Sequence, residues 1–171
     1  MANWVQTASG RNFYPTEPKE EDVYIEDIAH ALSLMCRFGG HCKTFYSVAE
    51  HSVRASWLVP FEHGLACLLH DAAEAYFADI VKPIKMEFPI FEEIENKILN
   101  VIFKKYGLVL PFHESVTQAD ITMLFTEKRD LMTQSDPWQN PTNVGPLKGP
   151  IQPWDPDVAK SQYLLRFDEL Y

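Results

Sequence analysis

Thiols and cations are both scarce in this chain. Its 171 residues include three cysteines, Cys36, Cys42 and Cys67, and no Cys-x-x-Cys pair. That argues against a disulfide framework and against a thiolate metal site, and it suits a reduced, cytoplasmic setting. Lysine and arginine total 15 against 24 aspartates and glutamates, a formal net charge of -9. Duplex nucleic acid needs a basic footprint, so no nucleic-acid polymer is expected as the main partner. A small anionic substrate stays open wherever a metal or a few cations are concentrated locally. No uncharged apolar run approaches the roughly 18 residues of a membrane span. The opening Met-Ala-Asn-Trp-Val-Gln has neither the basic nor the long apolar stretch of a secretory leader. The expectation is a protein with no membrane segment, placed in the cytoplasm.

What is present is apolar surface at helical spacing. Hydrophobic residues make up 46% of the chain, enough for one packed domain over residues 1–171. Short aromatic runs around Ser9-Gly10 predict a small hairpin within residues 4–14. Pro15 to Asp22 reads as a linker or surface loop. Ile28, Ala31, Leu32 and Met35 predict a helix from Ile25 to Arg37, ended by Gly39-Gly40. Ser47, with Glu50 three residues later, predicts a capping box opening a second helix that Pro60 stops. A third helix is expected over Glu62–Phe77, after which Pro83 breaks the chain. Long amphipathic helices are expected over Ile90–Tyr106 and Ser115–Met132. Prolines 137, 141, 146, 150, 153 and 156 leave no room for a regular element between residues 136 and 156. The tail Asp157–Leu170 is helical again. The fold class expected is mostly α: a helical core over residues 25–132, a small N-terminal β-hairpin and a Pro-rich C-terminal loop.

The chemistry centres on His70-Asp71. Adjacent side chains of a regular helix point different ways, so both meet one ion only where the helix is irregular or a ligand bridges them. Further chelating groups follow in order: His51 in Ser-Val-Ala-Glu-His-Ser, Glu74 one turn after His70, and Asp120 in Gln-Ala-Asp. Asp120 stands between Ala119 and Ile121, near a buried face, where an unpaired carboxylate is costly and metal coordination would relieve the cost. Successive helices can converge such groups on one ion. Two imidazoles with carboxylates suit a divalent Mn, Fe, Co, Ni, Zn or Mg ion. His30, His63 and His113 have no ligand-like neighbourhood, and His41 in its Gly-rich loop is left open.

The ordered series His51, His70-Asp71 and Asp120 resembles the signature of the HD-domain metal-dependent phosphohydrolases. Arg37-Phe38 before a short loop, Ser-Val-Ala-Glu-His-Ser, His-Asp-x-x-Glu-x4-Asp-x-x-x-Pro-x-Lys and Gln-Ala-Asp are similar to the 5'-deoxynucleotidase branch and to the phage dATP triphosphohydrolases. The likeness covers about residues 25–130. It implies an HD-type helical bundle in which His51, His70, Asp71 and Asp120 bind a divalent ion. It implies that Glu74 activates or positions the attacking water, with Asp79 beside it on the catalytic side. It further implies that Arg37 holds phosphate, that Phe38 packs against the sugar where relatives often carry Trp, and that Lys82 and Lys85 line the substrate pocket. From the residues alone, Arg37 also suits a helix C-terminus, Phe38 the core, and the two lysines plain solvent. Thr117 replaces a Lys that some relatives place three residues before the final Asp.

The function implied is hydrolysis of deoxynucleoside 5'-monophosphates. Alternatives are a dNTP triphosphohydrolase, a signalling-nucleotide hydrolase or a non-catalytic nucleotide sensor. A homo-oligomer, dimer or larger, is carried by the resemblance alone. Residues 136–156 read equally as a pocket cap, an oligomer contact or a surface cover.

Overall fold

The computed structural model describes residues 3–140, 142 and 144–171, so Met1, Ala2, Pro141 and Asn143, including one of the loop prolines and the start of the leader reading, lie outside the described residues. The chain is mostly α, with eight α-helices and one two-stranded sheet among the described residues. Strands β1 (Val5–Gln6) and β2 (Asn12–Phe13) pair antiparallel, Val5 opposite Phe13. This is the expected hairpin. It is held down by Asp27, whose carboxylate accepts from the Ser9 backbone N–H and hydroxyl, both at 2.7 Å. The helices are α1 (Ile25–Leu34), α2 (Val48–Ser56), α3 (Phe61–Leu68), α4 (Glu74–Phe77), α5 (Lys82–Glu87), α6 (Pro89–Lys105), α7 (Glu114–Leu131) and α8 (Pro156–Leu170). No helix is long and apolar enough to cross a membrane among the described residues.

Helix α2 is the hub. It packs against α1, α3, α7 and α8. Apart from Arg54 every residue from Val48 to Ser56 is buried, although four of them, Glu50, His51, Ser52 and Ser56, are polar. Their hydrogen bonds are made internally: Ser52 donates to the Val48 carbonyl and Ser56 to that of Val53. Val48, Ala49 and Val53 of α2 join Ile28 and Leu32 of α1, Leu65 and Leu68 of α3, Ile98, Ile102 and Phe103 of α6, and Tyr163 and Phe167 of α8 in the main core. A smaller core lies on the other flank, built from Tyr46, Ala55, Cys67, Val116, Met123 and Leu131. Gly64 lets α3 and α8 close up, since a Cβ there would stand 2.6 Å from Leu170 Cδ2.

Four local expectations need correction. Helix α1 stops at Leu34, because Met35 and Cys36 turn extended and Cys36 bridges Ser47. Arg37 is therefore not its C-terminal cation; it opens a separate tight turn, Arg37–Gly40. The capping box is half formed. Ser47 accepts from the Glu50 N–H at 3.0 Å, while the Glu50 carboxylate turns away to Arg54 and to the Trp154 N–H at 2.8 Å. The third helix is interrupted between Leu68 and Glu74. There the hydrogen bonds run i to i+3 (Ala72 to Leu69, Glu74 to Asp71), tightening the chain into irregular turns. Finally, Pro83 starts α5 instead of breaking the chain; a proline in the first turn forfeits no helical bond. Between residues 136 and 155 no helix or strand forms among the described residues, as the prolines require.

The cap of α2 offers a direct check. Ser47→Ala leaves the Glu50 N–H buried without an acceptor and is expected to destabilise the fold by about 1 kcal/mol. Urea unfolding should show a lower midpoint at an unchanged slope.

Candidate metal centre

His51 lies at the middle of α2, fully buried. His70 comes from the irregular turn after α3, and Asp120 from the face of α7 that looks toward α2 and α3. One ligand atom from each of His51, His70 and Asp120 lies within 4.8 Å of the other two, so this group could hold a metal ion. His51 Nε2 stands 3.4 Å from His70 Nε2 and 3.2 Å from Asp120 Oδ1. Asp71 stands outside that mutual trio but touches it, with Oδ2 at 3.3 Å from His70 Nε2 and 3.7 Å from His51 Nε2. The break after α3 explains how two adjacent residues reach the same place. In a regular helix they would diverge by about 100°.

The outer nitrogen of each ring shows which way its lone pair points. His70 Nδ1 lies 2.7 Å from the Cys67 carbonyl, which can only accept, so Nδ1 donates. His51 Nδ1 lies 2.6 Å from Glu127 Oε1 and donates to that carboxylate. In the neutral rings both Nε2 lone pairs therefore face inward, toward each other and toward two carboxylates. A set of acceptors with no donor among them asks for a cation, and an outer ring nitrogen held by a carbonyl or carboxylate is what metal-bound histidines carry.

Without a metal, the cation is a proton. Burial and Arg37 work against an imidazolium at His51, but Glu127 and Asp120 outweigh them and bring it up to about 10. At His70 burial likewise opposes the charge, and Asp71 and Asp120 raise it. Burial would push Asp120 up, but its bonds to both imidazoles hold it well below the usual carboxylate range.

The remaining predicted residues differ in how closely they approach this cluster. Arg37 is buried against the cluster: Nε donates to Glu127 at 3.0 Å and Nη1 to Asp71 at 3.4 Å. Glu74 is also buried, its Oε1 3.8 Å from Lys85 Nζ and its Oε2 without a hydrogen bond among the described residues. Burial, then Asp71 and Asp79, push the Glu74 carboxyl well up, against the pull of Arg37 and Lys85. Asp79 is half-buried and raised by burial, with Arg37 and Lys85 pulling it down. It follows Ala78, whose φ of 90° is a strained value for a residue with a Cβ. Lys85 reaches Glu95 at 2.7 Å and so is already neutralised. Lys82 is exposed and makes no ion pair among the described residues. Phe38 sits half-buried beside Arg37. His63 and His113 stack on one another at 4.1 Å.

Glu127 escaped the sequence reading. It joins His51 to Arg37 and is completely buried, and burial is overcome by Arg37 and His51, which hold its carboxyl low. The signal was present: Asp120, Met123 and Glu127 are spaced 3 and 4 apart, on the same helical face as buried Val116 and Ala119. A carboxylate on the apolar face of an amphipathic helix needs a buried cationic partner.

No family model matches this chain. It is 40% identical over 177 residues to the uncharacterized protein YfdR of Escherichia coli (strain K12), an alignment covering 98% of this chain and 96% of that protein. The chain belongs to the YfdR family. A second relative, the uncharacterized protein RCAP_rcc00048 of Rhodobacter capsulatus, is 34% identical over 120 residues, covering 63% of this chain and 61% of its own length. Neither name states an activity.

Two outcomes test that geometry. Glu127→Ala removes the acceptor for His51 Nδ1 and is expected to weaken Mn or Co binding roughly 10–100-fold in calorimetric titration. Glu127→Gln, which keeps an acceptor oxygen, should recover part of it. Secondly, the metal-free fold binds a proton at His51 that the unfolded chain releases near 6.5. Stability contributed there is complete below about 6.5 and lost as pH rises through about 10. The urea midpoint of chelator-treated protein should fall across that window, and Mn should flatten the decline; a level midpoint without metal would contradict the shared proton.

Proposed function

We infer that this protein is a metal-dependent phosphohydrolase of the HD type, acting on deoxynucleoside 5'-phosphates with the monophosphates preferred. The observation that carries the reading is the inward convergence of two imidazole lone pairs and the Asp120 carboxylate, each outer imidazole nitrogen held by a fixed acceptor. A single proton leaves some of these lone pairs facing one another, whereas a divalent ion accepts them all. His51, His70, Asp71 and Asp120 would hold it. When bound, such an ion supplies Lewis acidity toward a phosphoryl oxygen and brings the pKa of water from 15.7 down towards roughly 7.

The chain's own residues do the rest. Glu127 and Asp71 engage two nitrogens of Arg37, and Nη2 makes no hydrogen bond among the described residues. Its N–H groups are left for a phosphate oxygen, presented by a planar group fixed on two sides. Glu74 Oε2 takes the proton of the attacking water as that oxygen bonds to phosphorus. Asp79, in its protonated form, gives its proton to the departing 5'-oxygen as the P–O ester bond breaks, yielding the 5'-hydroxyl. The preference for monophosphates rests on charge: Lys85 is engaged by Glu95 and Glu74, and Thr117 is exposed and uncharged. Arg37 is thus the one cation buried at the centre among the described residues, too little for a polyphosphate tail.

The experiment is phosphate release from a panel of dNMPs, dNTPs, NMPs and cyclic nucleotides, with Co, Mn and Mg. Orthophosphate from dNMPs is the expected product. Asp71→Ala should fold yet lose metal. Glu74→Ala should keep metal and lose about 10²-fold or more in kcat. Nucleotide binding with no turnover under any of the metals would sink the enzyme reading.

A further inference from the structure

Trp138 lies on the proline-rich segment, and among the described residues neither it nor Phe38 packs against either apolar core, whereas Trp154 of the same segment does. The two rings instead approach each other, with centroids 5.9 Å apart and planes inclined at 45°. Both are half-buried. Each has a cation beside it: Lys128 Nζ stands 4.4 Å from the Trp138 ring centroid, and the Arg37 guanidinium carbon 5.4 Å from that of Phe38. Lys128 also donates to the Asp136 carbonyl at 2.8 Å, pinning the start of the segment to α7.

Phe38 is held at φ 57°, ψ 29°, the left-handed region that a bulky residue enters only at a cost. A regular continuation of the turn would point its ring elsewhere. The surroundings instead hold it directly after Arg37, in a chain of contacts that passes from Asp71 to Arg37, from Arg37 to Phe38 and from Phe38 to Trp138. Two aromatic faces with interleaved cations make a stacking platform for a planar ring that carries an anion. Sandwiching a base between parallel rings needs centroids roughly 7 Å apart, twice the ~3.5 Å contact distance of carbon atoms. The pair is too close and too tilted for that. Trp138 is only half-buried, so a base would stack on the exposed part of its indole, with Phe38 as a side wall and Lys128 over the ring.

We propose that Trp138 is a base-stacking residue: the nucleobase of the substrate lies on its indole, against Phe38, while the 5'-phosphate reaches Arg37. The occupant's phosphate rests on the phosphohydrolase reading; the aromatic platform is argued from ring geometry alone. Because every base has a π-face, the contact tolerates purines and pyrimidines alike.

The test compares dNMPs with 2-deoxyribose 5-phosphate, which has the same sugar and phosphate and no base. Trp138→Ala is expected to raise KM for dNMPs roughly tenfold more than KM for the base-free ester, with kcat little moved, and Trp138→Phe to recover most of the loss. A second readout needs no turnover. Adding dAMP or dTMP to chelator-treated protein should quench tryptophan fluorescence; Trp57→Phe should retain that quench and Trp138→Phe lose most of it. Equal KM changes with and without a base, or a quench undiminished in Trp138→Phe, would overturn the proposal. If no phosphate ester is hydrolysed by any variant, the function reading fails, and the fluorescence arm still decides whether Trp138 meets a base.

Discussion

An imidazole placed at the centre of a buried helix has to have both nitrogens accounted for, and at His51 that demand shapes most of the molecule. Glu127 takes Nδ1 from α7. Because Glu127 is itself a fully buried carboxylate, it needs Arg37, which the turn after α1 delivers. Nε2 then faces His70, Asp71 and Asp120, which come from the broken end of α3 and from α7. Three helices and a turn are locked together by one chain of polar contacts. Removing any member strands a buried charge, which costs more than the contact itself contributes.

The irregularities of the backbone collect around the same place. The turn at His70–Asp71 forgoes regular helical bonds, Ala78 bends the chain just before Asp79, and Phe38 adopts left-handed backbone directly after Arg37. Each is locally unfavourable. Together they aim His70, Asp71, Asp79, Arg37 and Phe38 in ways that uninterrupted helices would not, which is the usual reason strain persists at a chemical site.

The proline-rich segment is tied down by polar anchors besides the packing of Leu147, Ile151 and Trp154 against the cores. Arg129 donates to the Leu147 and Gly149 carbonyls, Asp130 accepts from the Ile151 N–H, and Glu50 from that of Trp154. Prolines deprive such a stretch of its own backbone bonds, so side chains of α2 and α7 supply them. The half-formed capping box follows from this: the Glu50 carboxylate serves the segment instead of the helix end. Glu50 and Glu127 thus share a pattern, carboxylates on α2 and α7 spent on long-range bonds.

Periodicity, caps and prolines in the sequence determined the mostly helical class, the hairpin, and helices α2, α6, α7 and α8 to within a residue or so at most ends, because those features act over a few neighbouring residues. The order of His51, His70, Asp71 and Asp120 also marked a candidate metal centre, since chelating groups on helical segments that can face one another are legible as types and spacings. Three things were decided only in the tertiary structure. The helix over Glu62–Phe77 breaks because His70 and Asp71 meet partners on other elements, and helical propensity alone gives no sign of that. Glu127 becomes a second-layer acceptor only when α7 lies across α2, a contact spanning 76 positions. The two lysines part, Lys85 into ion pairs and Lys82 into solvent, because α5 and α6 pack so that Glu95 meets one and not the other. In each case the deciding energy comes from a neighbour distant in the chain, which local pattern cannot register.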